Sequence, residues 1–486
     1  MNKILIFIFI TVCLSATFVS CKKDKFITDT NAKVSFSQDS VLFDTVFTTI
    51  GSTTRQIRVR NMNKQKINIS SVRLQNGNSS MFTLNVDGTP GKSVSDVEIL
   101  AEDSIYIFIQ VNVNPTSNLS PFVIQDKILF DVNGNEQSVA LEAWGQDAYY
   151  HFPNKAIQYK NGFLPYSTVS SGTNVTVNWV NDKPHVIYGW LVVDSTQKLT
   201  IAAGVKVYFH QNAGLWVYRY GTLQVNGSKG NEVIFQGDRR ELDYADIPGQ
   251  WDRIWINEGH TDNYINYAII KNSYIGVQAE VLLNTAQPKR LRLTNTIIKN
   301  CSRWGIYGVA FNIWGSNNIV VNCKEYCAAL TLGGNYTFLH STFANYFTKD
   351  GGRGNQPCVH LDNYSGTTYF PLDSAYFGNC IIDGSKPNEL EIDIKTASSY
   401  TKNYKFNSCL LKTTATTSTT FINNVFNQSA SFIDVQNYDC KLGSTSAARA
   451  IGDASLLGLF PYVFVQTDIL GVTRYPTIDA GAIQFP

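Results

Sequence analysis

The sequence predicts an all-β protein, a β-sandwich followed by a right-handed parallel β-helix, on three observations. Residues from about Phe36 to Gly145 alternate apolar and polar in short runs, the pattern of antiparallel sheets with one buried face. Beyond residue 174 the runs shorten to three to five residues with glycines at the bends, and they recur: centres at Ile297, Val320, Phe343, Ile381 and Leu410 are 23, 23, 38 and 29 residues apart. Strands that short cannot bury their faces alone and must stack on the next repeat. A chain of 486 residues also exceeds what one compact core usually serves, unless it grows along one axis.

The N-terminus reads as a secretory signal. Met1-Asn2-Lys3 precedes an apolar run from Ile4 to Leu14, and Phe18-Val19-Ser20-Cys21 is followed by Lys22 and Lys23. That run is too short to be retained as a membrane-spanning helix. The tetrapeptide ending at Cys21 resembles a bacterial lipobox, with Phe18 where Leu is usual. The resemblance implies cleavage before Cys21, acylation of that cysteine and attachment to the outer membrane, with the mature chain facing the periplasm or the cell exterior. The expected organisation is a signal and anchor at 1–21, a sandwich at 26–147, a crossover and cap at 148–173 and the β-helix at 174–486.

In the sandwich, Gln56–Arg60, Ile67–Ile69, Phe82–Leu84 and Ile105–Val113 alternate as strands. Ile128–Phe130 and Val139–Leu141 flank a hairpin turn at Asn133-Gly134-Asn135. About seven strands with no cysteine among them fit an immunoglobulin-like sandwich without its disulfide. The run from Asp103 to Pro115, with Arg60-Asn61 closing an earlier strand, resembles the Hydin-like family of sandwich modules. That likeness implies a spacer or interaction domain.

In the second region, Leu199–Phe209, Gly221–Gly227 and Val233–Phe235 open the repeat. Asparagines recur at strand ends, as in Asn295, Asn300, Asn318, Asn322, Asn345 and Asn379. A stacked turn can pair side-chain amides between coils, and asparagine tolerates the left-handed backbone. Of nine cysteines, Cys13 and Cys21 belong to the signal and anchor. The remaining seven follow neither a zinc spacing nor a disulfide framework. Cys301, Cys323, Cys380 and Cys409 fall beside the repeated strands and are expected to pack as small buried apolar residues.

Gly221–Arg240, Asp246–Trp251 with Ile254-Trp255-Ile256, Ile265–Asn272 and Gly276-Val277 look like the pectate-lyase-like β-helix superfamily, and in particular its surface lipoproteins. The terminal Asp468–Arg474 and Asp479–Ala482 are similar to the closing segment of such proteins. The resemblance covers about 174–486 and implies the fold; the superfamily holds lyases, hydrolases, adhesins and non-enzymes.

A net charge of +2 with scattered basic residues excludes a nucleic-acid footprint. A lyase reading of the superfamily needs a base beside a neutralised uronate; the polar stretch from Lys349 to Asp362 offers Lys349, Arg353 and His360 as catalytic candidates. Asp350 and Asp362 are expected there as calcium or hydrogen-bonding ligands. Glu389, Glu391, Asp393 and Lys395 alternate, which places them on one face of a strand and adds Glu391 and Asp393 to the metal candidates. Glu241, Asp243 and Asp246 form another acidic loop without a spaced calcium signature. No cofactor is required; calcium is the one candidate ion. Trp216, Trp251, Trp255, Trp304 and Trp314 would stack on sugar rings if they line an outer face, and would seal bends if they point inward. The leading expectation is a lipid-anchored envelope protein whose β-helix offers an elongated surface to a polysaccharide or a surface protein. A polysaccharide lyase, less readily a glycoside hydrolase, and a structural adhesin are the alternatives.

Overall fold

The computed structural model describes residues 25–47, 51–113, 122–159, 162–283, 290–395, 402–458 and 465–485. The expected signal segment and the expected lipobox cysteine, Cys21, lie outside them. The chain divides into two compact units, one ending at Asp147 and the other beginning at Ala148.

The first unit pairs two five-stranded sheets. One runs in the order Val34–Phe36, Arg55–Asn61, Ser104–Val111, Phe82–Val86, Thr89–Gly91. The other runs Ser40–Phe47, Asn135–Gln146, Phe122–Val132, Ile67–Leu74, Ser93–Ile99. Alternation builds the core: Ile105, Ile107, Ile109 and Val111 are buried while Tyr106 and Phe108 between them are exposed. Ile57 and Val59 meet Ile69, Val72, Phe130 and Val139 from the facing sheet in one apolar cluster. Each such side chain contributes about 1.5–3 kcal/mol on burial. The hairpin forms where expected, Val132 opposite Asn135, with Asn133 and Gly134 at φ 47° and 86°, as a two-residue loop of this kind needs. Ten strands appear among the described residues instead of about seven. Ser40–Phe47 runs parallel to Asn135–Gln146, with a register shift between Ala143 and Trp144 that breaks the alternation sequence reading depends on.

The second unit is a parallel β-helix of three sheets, with eleven, ten and ten strands among the described residues. Ile298, Val320, Phe343, Ile382 and Leu411 stack in register through its interior. The centres read from sequence mixed two rows: Ile297 pairs with Ile319, not Val320, and Phe343 pairs with Ile382, not Ile381. The stretch 148–173, expected as a crossover and cap, already carries coil strands. Tyr149–His151 pairs in parallel with His185–Ile187 in the first sheet, and the hairpin Lys155–Tyr159/Gly162–Thr168 adds to Trp190–Val193 in the second.

Asparagine ladders hold the bends. Asn317 donates to Asn295 at 3.1 Å and Asn295 to Asn266 at 2.8 Å, while Asn300 donates to Asn272 at 2.8 Å. Asn295, Asn300, Asn317, Asn322 and Asn379 all have φ between 48° and 57°. The seven cysteines from Cys301 to Cys440 are buried free thiols, with Cys301 and Cys323 on adjacent rungs. From the rung of Ile319 onward the outer side of the first sheet is also apolar. Ile319, Val321 and Ala344 pack under Cys440, Ile469, Ala482 and Ile483 of the closing segment, and Ile381 and Leu410 pack under Leu442, Ala448 and Ala480.

Candidate functional site

The outward side chains of the second parallel sheet form a row set by its register: Trp216, Trp255, Gln278, Tyr307, Ala329, His360, Glu391. Asp362 and Asp393 pair one residue pair further along the last two strands, Val359–Asp362 and Leu390–Asp393. The candidates in the 349–362 stretch therefore separate. His360 and Asp362 join Glu391 and Asp393 on this sheet, whereas Lys349 and Arg353 leave in the turn that precedes it.

His360 is held at both ring nitrogens. Nδ1 lies 2.7 Å from a Glu391 carboxylate oxygen and Nε2 lies 3.0 Å from Asp362 Oδ2. Only the doubly protonated ring can donate to both. Burial works against that charge, but the hydrogen bonds and charges of Asp362 and Glu391 outweigh it and lift the imidazole above its ordinary value. His360, a catalytic candidate, thus has both ring nitrogens engaged by carboxylates. Asp362 Oδ1 also accepts the Leu332 main-chain N–H at 2.8 Å. Asp393 accepts from the Tyr364 hydroxyl at 2.5 Å and from Lys395 Nζ at 3.0 Å, which hold its carboxyl below the usual range.

Arg353 is corrected as a base candidate. It makes a bidentate pair with Glu389 at 2.5 Å on each side, with side chains 3% and 0% exposed. The alternation that placed Glu389 beside Glu391 fails because the strand begins at Leu390. Lys349 reaches away from the row, 3.3 Å from the Asp246 carboxylate and 3.0 Å from the Tyr438 hydroxyl. Asp350 is exposed and paired with Lys324 at 2.7 Å. Of the four calcium candidates, Asp350 stands apart, and Asp362, Glu391 and Asp393, though on adjacent strands, are engaged by His360, Tyr364 and Lys395. Among the described residues no group of three or more His, Cys, Asp or Glu converges to hold a metal ion.

The tryptophans divide four ways. Trp251 is 1% exposed, stacked inside the coil on Phe209 at 4.1 Å and 6°; a ring there cannot meet a sugar. Trp216 and Trp255 point outward but are 7% and 6% exposed. They stack on each other at 4.7 Å with Trp190 edge-on, packed against Leu164 and Tyr166 of the hairpin. Trp314 belongs to the third sheet, under the Arg290 guanidinium at 3.4 Å. Of the five, Trp304 alone stands open beside the row, on the strand that carries Tyr307. It is partly exposed and donates to Glu325 at 2.7 Å, with Tyr307 at 4.1 Å and Tyr326 at 6.3 Å between ring centres. Tyr326 continues to His360 at 5.5 Å.

Sequence reading missed Tyr307, Tyr326 and Tyr364. Tyr307 shares a strand with Trp304 at a spacing of three, which alternation assigns to opposite faces; Tyr326 and Tyr364 lie outside the coil strands, and no period marks them. The resulting surface combines partly exposed aromatic rings, a dip at Ala329 and a fixed set of carboxylates and one imidazolium. A pocket of about 460 Å³ adjoins it, lined by Asn355, Pro357, Lys386, Pro387, Asn388 and Glu391.

No protein-family model and no curated protein sequence matches the chain. Among solved structures it is similar to a family 123 glycoside hydrolase from Clostridium perfringens, described for glycolipid glycan hydrolysis, with 10% identity over 29% of this chain and 26% of that one and a TM-score of 0.18. It is also similar to the ASH/PapD-like domain 7 of human CEP192, with 12% identity over 26% of this chain and 94% of that domain and a TM-score of 0.17. The chain spans about a quarter of the hydrolase's length, and likenesses at this level assign it to no family.

Proposed function

We propose that the protein binds a polysaccharide along the outer row of the second parallel sheet, from Gln278 to Glu391. One observation carries this reading: Trp304, Tyr307 and Tyr326 stand partly exposed around the small Ala329, beside the fixed polar group of His360, Asp362 and Glu391. Flat rings give area to sugar faces, and oriented carboxylates accept from hydroxyls. Four rung steps of about 4.8 Å give roughly 19 Å of surface. With both nitrogens of His360 donating and Arg353 buried, binding without bond cleavage is favoured over a lyase. The same reading takes the chain as a pectate-lyase-like surface lipoprotein acylated at Cys21 in the outer membrane, with the sandwich as a Hydin-like spacer.

The test is affinity electrophoresis of the protein against immobilised neutral and acidic polysaccharides, alongside assays for unsaturated products and new reducing ends. Retardation by one polysaccharide, weakened at least tenfold in Trp304→Ala and Tyr326→Ala but not in Trp314→Ala, supports binding on this row. Product release would replace it with an enzyme. Retardation insensitive to all three variants would move the site elsewhere.

A further inference from the structure

The outer side of the first parallel sheet holds a cationic cluster that the glycan row does not use. The tetrapeptide Ile-Ile-Lys-Asn occurs twice one coil apart, at Ile269–Asn272 and Ile297–Asn300. Register makes Lys271 and Lys299 direct neighbours on adjacent rungs, with backbones about 4.8 Å apart. Ile270 and Ile298 point into the coil, so both lysines point out.

A third ammonium is brought to them by the turn after Thr342–Asn345. Lys299 Nζ is 4.3 Å from the centre of the Tyr438 ring; Lys349 Nζ is 5.4 Å from the same centre and 3.0 Å from its hydroxyl. The carboxylate that bears on all three lysines is Asp246, 3.3 Å from Lys349. Among the described residues Lys271 and Lys299 make no ion pair. Burial pushes both below the ordinary lysine value; Lys271 and Lys349 add to this at Lys299, Arg240 adds to it at Lys271, and Asp246 opposes it. Both lysines are only partly buried, so a small ligand can reach them. Two ammoniums stand side by side in register and the turn adds a third, against one carboxylate, so an oxyanion among them accepts charge-assisted hydrogen bonds from more than one side chain.

We propose that Lys271, Lys299 and Lys349, with the Tyr438 hydroxyl, bind one oxyanion: a carboxylate or sulfate carried by a glycan, or free sulfate or phosphate. The site is independent of the glycan row and stands or falls separately from it.

Thermal unfolding of the full chain is followed at constant ionic strength while chloride is exchanged for sulfate, phosphate, glucuronate or a sulfated oligosaccharide. A saturable rise in melting temperature is expected, with affinity reduced at least tenfold in Lys299→Met and Lys271→Met and unchanged in Lys324→Met. Saturation by inorganic sulfate or phosphate as tight as by the oligosaccharide identifies a free anion; saturation by the oligosaccharide alone identifies a glycan-borne group. The absence of a rise with every anion, or an equal rise in the lysine variants, overturns the site. Should a variant not fold, the wild-type protein with carbon-13 dimethylated lysines decides: two or more lysine signals must move together on titration, and a spectrum unchanged by all the anions refutes the proposal.

Discussion

Arg353 meets Glu389 through two parallel hydrogen bonds, both side chains shut off from solvent. Arg353 also donates to the main-chain oxygens of Asn345 and Gln356, so one guanidinium ties the long turn to the following coil. Removing it strands a carboxylate in the interior. Arg353→Ala is expected to lose about 3–5 kcal/mol in urea denaturation, and Arg353→Met with Glu389→Leu to regain much of that. A single variant that unfolds at the wild-type midpoint would show that the pair is not buried in solution.

His360 gives a pH signature. Its folded value is raised, so the stability it contributes is fully present below the unfolded imidazole value of about 6.5 and is lost as pH rises through the folded value. The stability gap between wild type and His360→Gln should be widest near pH 6 and close in alkaline solution. Proton NMR titration checks the cause directly; a His360 midpoint below that of a free imidazole contradicts the two carboxylate contacts.

The tryptophans should separate stability from binding. Trp255→Ala opens a cavity under the hairpin and is expected to cost about 3–5 kcal/mol. Trp304→Ala, at the solvent edge, should leave the melting temperature within a few degrees while weakening retention by polysaccharide. Equal destabilisation by the two would place Trp304 in the core.

The seven cysteines give a labelling test. Buried free thiols react only when exposed, so an aromatic disulfide reagent should find none of the seven in the native protein and all of them in guanidinium. Rapid native labelling of even one would contradict the packing.

How far the sequence reached follows from the chemistry of each element. The asparagine ladders were readable because amide pairing and positive φ both favour one residue type. The coil register was not, because Ile297-Ile298, Val320-Val321, Ile381-Ile382 and Leu410-Leu411 are apolar on both sides of the first sheet; with its outer side covered by the closing segment, no alternation marks which neighbour points in. The charged stretch 349–362 looked continuous, yet its parts answer to partners far along the chain: Lys349 to Asp246 and Tyr438, Arg353 to Glu389. That His360 and Asp362 lie beside Glu391 and Asp393 was not legible, because the pairing of the two strands depends on a register that neither stretch shows by itself. The lysine pair was readable in principle from the repeated Ile-Ile-Lys-Asn.

The closing segment changes how the stack can come apart. Ala482 donates its main-chain N–H to Thr342, and Arg474 reaches Asn317, so residues near the end of the chain clasp rungs laid down some 140 residues earlier. An array without such a clasp can shed its last coil and keep the rest. Here the final rungs cannot peel until the clasp opens, and its opening bares the apolar flank of several coils at once. Loss of these coils is therefore expected to expose the apolar flank of several rungs together and not one rung at a time.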